Sequence, residues 1–306
     1  MRVILAAPRG FCAGVRRAID AVRDALAKHG APVFVRRAIV HNLDVVRELE
    51  AEGAIFVEEL AEVPPGSTVV FSAHGIAPAI ADEAATRGLI AYDAVCPLVA
   101  KVHREVERHW RAGRQVVLIG HRGHPEIEGT LGHLPAGAAQ VVNSTADIDS
   151  LQFDPGRPTA YAVQTTYSVD EAAALIAALR RRFPDLAGPS SSDICYATTN
   201  RQAAVRELSL QAGAIIVVGA HFSSNACRLA EVARGHCAHV QLVAGPADLD
   251  WHQLPANGVI GITAAASTPD SSVHAVLAAL GARFSISIEE MPAEPEATVF
   301  RRLALA

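Results

Sequence analysis

Short apolar runs alternate with helical patterns along almost the whole chain, and most of these runs end on a small cluster of Gly, His, Ser, Thr or Cys. Residues 3–7, 32–35, 55–57, 68–71, 89–92, 115–119, 139–142, 160–163, 214–218, 240–243 and 258–262 read as strands. Helical spacing follows many of them. Val15, Ile19, Val22 and Leu26 recur at intervals of three or four, Leu49 stands four residues after Val45 and three after Val46, and residues 78–87, 98–112, 168–182, 200–210 and 272–280 carry the same pattern. Strands that are apolar throughout and alternate with helices dictate parallel sheets covered by helices, an α/β fold. Ser168, followed by Asp170 and Glu171, has the chemistry of a helix N-cap with acidic residues in the first turn. Residues 183–192 are rich in Pro and Ser and mark a boundary. The stretch from Ser285 is rich in Pro and Glu and is expected to be a tail wrapping the surface.

At 306 residues the chain has room for two or three domains, and 50% of it is hydrophobic, enough for proper cores. A net charge of −5 leaves no basic field for nucleic acid or an anionic membrane surface. Lys28 and Lys101 are the only lysines; the remaining positive charge is Arg. The N-terminal residues enter a strand pattern directly, without the charged region, apolar core and cleavage site of a signal peptide. No apolar run approaches the ~20 residues of a membrane span. The expectation is a cytoplasmic chain with no nucleic-acid and no membrane partner. In that compartment five dispersed cysteines, an odd number, are reduced, catalytic or metal-binding rather than disulfide-bonded.

Three of the cysteines share a setting. Cys12 lies between the first apolar run and the first helical pattern. Cys96 follows 89–92 and precedes Val99, Val102 and Val106. Cys195 follows Ser192-Asp193-Ile194 and precedes the helical run from Asn200. A helix N-terminus collects unpaired N–H groups and the positive end of the dipole, and both favour a thiolate. Three matched strand–Cys–helix arms suggest three modules meeting at one point. Cys227 and Cys237 lack this context and read as packing residues. The polar residues repeat the pattern: His41, His74, His124, Glu126, Thr165, Ser223, Ser224, Asn225 and Ser267 fall just past the carboxyl ends of expected strands, where open α/β sheets bind ligands.

Three readings of this chemistry stand side by side. Glu126, flanked by glycines and a proline in an apolar module, fits a proton donor with a raised pKa. His121, His124 and Glu126 offer zinc ligands for a hydrolase, although no HExxH spacing is present. The Ser and Thr loops before helices suit a phosphate or carboxylate, which also fits a non-catalytic phosphate-binding protein with structural cysteines. No dinucleotide or P-loop glycine motif occurs. Three thiolates can hold a cubane iron–sulfur cluster and leave one iron without a protein ligand.

The motifs around these residues resemble one family. PRGFCAGVRRAI (8–19), IVHN (39–42), FSAHG (71–75), CPLV (96–99), GHPEIEGTLG (123–132), QTTYSVD (164–170), DICYATTNRQ (193–202), SSNACRL (223–229) and GITAAASTPD (261–270) stand in the order and at the spacing of the 4-hydroxy-3-methylbut-2-enyl diphosphate reductases. These iron–sulfur enzymes close the methylerythritol phosphate route to isoprenoids. The resemblance implies three α/β modules with parallel sheets, arranged as a pseudo-threefold trefoil around the cluster. Their expected bounds are 14–96, 97–193, and 194–284 with 1–13, leaving 285–306 as tail; the first strand packs with the third module. It implies one [4Fe–4S] cluster on Cys12, Cys96 and Cys195. It implies an allylic diphosphate substrate held by His41, His74, His124, Thr165, Ser223, Ser224, Asn225 and Ser267, with Glu126, Thr165 and His124 as catalytic residues. It implies an electron donor such as ferredoxin or flavodoxin with its reductase. Three positions depart from the family pattern: Val95 stands for the usual Thr, Cys227 for Asn, and Ala265 for Gly.

Overall fold

The computed structural model describes residues 1–255 and 258–305. Its strands are β1 (Arg2–Leu5), β2 (Val33–Arg36), β3 (Ala54–Val57), β4 (Thr68–Phe71), β5 (Ile90–Asp93), β6 (Gln115–Ile119), β7 (Ala139–Val142), β8 (Thr159–Val163), β9 (Ala214–Val218), β10 (Val240–Val243), β11 (Val259–Ala264) and β12 (Ser287–Glu290). Its helices are α1 (Ala13–His29), α2 (Leu43–Glu52), α3 (Pro78–Thr86), α4 (Pro97–Arg111), α5 (Pro125–Leu131), α6 (Thr145–Asp149), α7 (Val169–Arg182), α8 (Tyr196–Ser209), α9 (Ser224–Arg234) and α10 (Asp270–Arg283). The strands form three parallel sheets, ordered β10-β9-β11-β1-β12, β3-β2-β4-β5 and β7-β6-β8. The expected α/β fold with three parallel sheets is therefore the one the chain adopts.

Two compact units contain these sheets. The first comprises Met1–Val15, His41–Val45 and Tyr196–Val299. The centre of its five-stranded sheet is buried on both faces, and the period-two alternation of side chains assigns each residue there to one of them. Val3, Ile216, Val218, Ile260 and Ile262 face α10 through Val273, Val276 and Leu280. Ile4, Ile215 and Val217 face α8 and α9 through Val205, Leu208, Leu229 and Ala230. Both faces being covered explains why β9 is apolar throughout.

The stretch from Ser285 is more than a surface wrap, which corrects the expectation for the tail. Ser287–Glu290 pairs with β1 as β12, and the Met291 N–H donates to the Leu5 carbonyl at 2.9 Å. The reason is the edge of β1. Its backbone groups on the side away from β11 require partners, and the tail supplies them. Met291 is buried beside it. Ala306, the last tail residue, lies outside the described residues.

The second unit comprises Arg16–Val40, Val46–Cys195 and Phe300–Ala306 and holds the other two sheets. Val102 and Val106 of α4, and Ile127 of α5, pack on Val116, Leu118 and Ala162. Leu175 and Leu179 of α7 pack on the opposite face, against Val117, Ile119 and Val163. Ser168 caps α7 as expected, its hydroxyl accepting from the Glu171 N–H. Cys96 stands at the N-cap of α4 with Pro97 at the first helical position, where a missing N–H costs nothing.

Candidate active site

Each unit presents its own set of the residues singled out above. In the first unit, Ser223 caps α9, its Oγ accepting from the Ala226 N–H at 3.4 Å. The hydroxyls of Ser223 and Ser267 stand 3.4 Å apart, and Ser267 donates to the His41 carbonyl at 3.2 Å. Asn225 Oδ1 accepts from the Ala266 N–H at 2.9 Å, tying α9 to the loop after β11. Cys12 is fixed to that same loop, its N–H donating to the Ala266 carbonyl at 3.2 Å. Asn42, which the sequence reading passed over, caps α2 by accepting from the Asp44 and Val45 N–H groups. Ser223, Asn225 and Ser267 are all buried. The His41 ring meets Phe222 edge-on at 5.8 Å, and burial pushes its pKa down to about 4. Hydroxyls, a carboxamide and a neutral imidazole near helix N-termini are groups of the kind that can receive an anion.

In the second unit, Glu126 is buried at 2% exposure. It occupies the first turn of α5, and His124 is the N-cap. The Thr165 N–H donates to Glu126 Oε1 at 2.6 Å and the Thr165 hydroxyl to Oε2 at 2.8 Å. Burial pushes the Glu126 pKa up to about 7, with the charge of Asp193 adding to it and the two Thr165 bonds opposing it. His124 Nδ1 accepts from the Glu126 N–H at 3.1 Å, so that nitrogen carries no proton and the ring proton sits on Nε2. The His74 and His124 rings meet at 5.8 Å, nearly perpendicular, and His74 Nδ1 lies 3.3 Å from the Ser72 hydroxyl. Glu126, Thr165, His124 and His74 thus belong to one unit, and His41, Ser223, Ser224, Asn225 and Ser267 to the other.

Cys96 and Cys195 lie in this second unit. The Cys96 N–H donates to the Ala73 carbonyl at 3.0 Å, beside His74. Cys195 departs from the expected setting, because Ser192-Asp193-Ile194 is not a strand. The segment is too short and polar to make a ladder. Asp193 instead accepts from the Val163 N–H at 3.0 Å and pairs with Lys101 Nζ at 3.1 Å. The Cys195 N–H then donates to the Thr165 carbonyl at 3.1 Å, which links the thiol to the residue that holds Glu126. Neither Asp193 nor Lys101 was named as a site residue from the sequence. Their pairing joins positions far apart in the chain and leaves no local pattern.

The zinc reading finds no geometry. His121 turns its Nδ1 to Gln164 Oε1 at 3.1 Å and stacks on Tyr167, while the Glu126 carboxyl faces Thr165. Among the described residues, no group of three or more His, Cys, Asp or Glu is set to hold a single metal ion. Cys237 is buried in the core beneath β9, as expected. Cys227 is half-buried, with its Sγ 3.0 Å from the His221 carbonyl. Ala265 lies close to Gly219, where an added Cβ would stand 3.1 Å from the Ala265 Cβ. No helix among the described residues is long and apolar enough to cross a membrane.

Comparison with known proteins agrees across methods. The model of the family described as LytB protein matches residues 3–281. The 4-hydroxy-3-methylbut-2-enyl diphosphate reductase of Methylocella silvestris is 51% identical over 302 residues, covering 98% of this chain and 95% of its own. The second such reductase of Rhodopseudomonas palustris is 49% identical over 302 residues, covering 98% and 94%. Among solved structures, the E-1-hydroxy-2-methyl-but-2-enyl-4-diphosphate reductase from Plasmodium falciparum superposes with a TM-score of 0.94 at 36% identity, covering 99% of this chain and 95% of that one.

Proposed function

The chain belongs to the LytB protein family, and from that premise we propose that it reduces (E)-4-hydroxy-3-methylbut-2-enyl diphosphate to isopentenyl and dimethylallyl diphosphate. Two electrons and two protons enter and the allylic hydroxyl departs as water. The observation that carries this reading is Glu126: a fully buried carboxyl group whose pKa burial pushes up to about 7, bonded twice to Thr165, on a residue whose backbone N–H donates to His124 Nδ1.

The residues fit an iron–sulfur group. Cys12, Cys96 and Cys195 form no disulfide among the described residues, are half-buried rather than sunk in a core, and each directly precedes a helix. The Val15 N–H reaches Cys12 Sγ at 3.4 Å. Soft thiolates of this number suit a [4Fe–4S] cluster with one iron left open. When bound, the cluster supplies the electrons and a Lewis acid for the C–O bond.

The chain's own groups do the rest. Glu126 holds a proton on its carboxyl near neutral pH and delivers it to the leaving hydroxyl, so that water rather than hydroxide departs. Thr165 orients that carboxyl through two bonds and keeps its pKa from rising further. His124 offers Nε2–H toward the substrate, because its Nδ1 is engaged. The diphosphate falls to His41, His74, His124, Ser223, Ser224, Asn225 and Ser267, and the helix N-termini strengthen each bond. Electrons come from a ferredoxin or flavodoxin with its reductase, in the cytoplasm. We read the chain as three modules, 14–96, 97–193, and 194–284 with 1–13. Each sheet falling within one of these bounds supports that division, with β12 the exception.

Anaerobic iron quantitation coupled to a reduction assay on the diphosphate tests the proposal. About four irons per chain and formation of both products are expected. Colourless protein that retains zinc after Cys12→Ser overturns it.

A further inference from the structure

The loop that carries Cys12 is held by a buried cation whose counter-charge comes from the far end of the chain. Arg201, in α8, is fully buried. Its Nε and Nη2 both donate to the Gly10 carbonyl, at 3.1 and 2.8 Å. Its Nη1 donates to the Ala197 carbonyl at 3.0 Å, within its own helix. The remaining bonds go to Glu296 of the tail, from Nη1 to Oε1 at 3.0 Å and from Nη2 to Oε2 at 3.3 Å. Asn200 Nδ2 adds a third bond to Glu296 Oε1 at 3.1 Å. A guanidinium removed from water must be paired and hydrogen-bonded, and here one carboxylate supplies the charge.

Gly10 is a demanding place to pull on. Its φ of 67° lies in the left-handed region, and a Cβ there would sit 3.2 Å from both Asp270 Oδ1 and the Thr268 carbonyl. The turn it begins is fixed on both sides: Gly10 N–H donates to the Ala264 carbonyl and Cys12 N–H to the Ala266 carbonyl. The tail touches the loop a second time, through Arg9 Nη1 and Glu290 Oε1 at 2.5 Å. On the helix side, the Ala13 N–H donates to the Tyr196 hydroxyl at 3.1 Å. Arg201 and the tail therefore act on the residues flanking the thiol and leave the sulfur free for a ligand.

We propose that Arg201, with Glu296 as its counter-ion, is a positioning residue for Cys12, and that the C-terminal tail is a latch holding the Cys12 turn in the conformation that presents its thiol. The consequence for a cluster rests on reading Cys12 as an iron ligand; the latch itself does not.

The test uses the full-length chain after chelator treatment, alkylated with iodoacetamide and read peptide by peptide, with Cys96 and Cys195 as references in the same sample. Glu296→Gln and Arg201→Lys are expected to raise the Cys12 rate about tenfold relative to both references, because the loop opens locally. In iron-loaded protein the same variants should lose iron to chelator faster. A Cys12 ratio equal to that of the unaltered chain overturns the latch. So does a parallel rise at all three cysteines, which would mean general loosening. If Arg201→Lys does not fold, Glu296→Gln alone decides. Should the unaltered chain take up no iron, the reductase reading falls while the thiol ratio still decides the latch.

Discussion

A buried carboxyl group whose one side-chain partner among the described residues is a threonine is poorly placed to be an anion and well placed to hand on a proton. Glu126→Gln keeps the shape and removes the proton, so substrate binding and iron content should persist while turnover falls about 10²–10⁴-fold. Single-turnover kinetics beside iron quantitation would separate the two; near-normal turnover would refute the assignment. The same group shapes the pH dependence of stability. Its folded pKa, about 7, exceeds the unfolded value of 4.5. The folded chain thus binds more protons between those values, and this contribution is full below 4.5 and lost as pH rises through 7. Glu126→Gln should flatten that slope in a denaturant series. Thr165→Val deletes a bond that lowers the pKa, so the alkaline limb of the rate profile should move upward, and a limb that stays put would mean Thr165 does not act on the carboxyl. His41 is the opposite case. Burial holds it neutral at pH 7, so capturing a diphosphate should pull a proton onto it. Calorimetric titration in buffers of differing ionisation enthalpy should report that uptake, and His41→Asn should reduce it. The sequence showed which polar residues follow strand ends. Apart from the family resemblance, which set Thr165 near Glu126, it carried no sign of that contact, because the contact joins the first turn of α5 to the residues after β8 and has no local signature.

Elements set how firmly these groups are held. Helix α5 lies against the FSAHG loop so closely that a Cβ on Gly129 would stand 3.1 Å from the Gly75 carbonyl, and one on Gly132 would stand 2.2 Å from Ala77 Cβ. Gly75, at φ 80°, is itself pressed against His103. Gly129→Ala should therefore cost about 1–3 kcal/mol by overpacking and lower turnover, although it leaves every proposed catalytic side chain in place. A thermal melt and a rate profile on one preparation would check it; an unchanged melt would mean the loop simply gives way. Glycines at 75, 129 and 132 were visible in the sequence, yet the backbone contact that requires them was not. The strands were legible almost to the residue where the run is buried throughout, as in β9 and β6. The missed strand, β12, has the opposite character: it is exposed along its length and exists because β1 offers an open edge. The segment before Cys195 fails the other way, since it reads as a strand but is pinned by Asp193 and Lys101 instead.

At the scale of the whole molecule, the alternation of strands and helices announced parallel sheets but not which strands share one. β1 joins β11 and β12, partners more than 250 residues away, and periodicity carries no signal over that distance. Only the family resemblance indicated that the first strand belongs with the last module. Long-range closure of this kind makes stability depend on whatever holds distant segments in register. The three proposed iron ligands, at positions 12, 96 and 195, are themselves far apart in the chain. A cluster bound only by the folded chain adds to its stability by mass action, and the ligands give that gain back when iron leaves. Stripping iron anaerobically should therefore lower the thermal midpoint by on the order of 10 °C, since 1 kcal/mol is worth a few degrees in a chain of this size. Cys96→Ser, which removes one thiolate, should melt near the stripped protein whether or not iron is supplied. Scanning calorimetry of loaded, stripped and Cys96→Ser samples at one scan rate would test this. Coincident midpoints for loaded and stripped protein would mean that the cysteines hold nothing on which the fold depends.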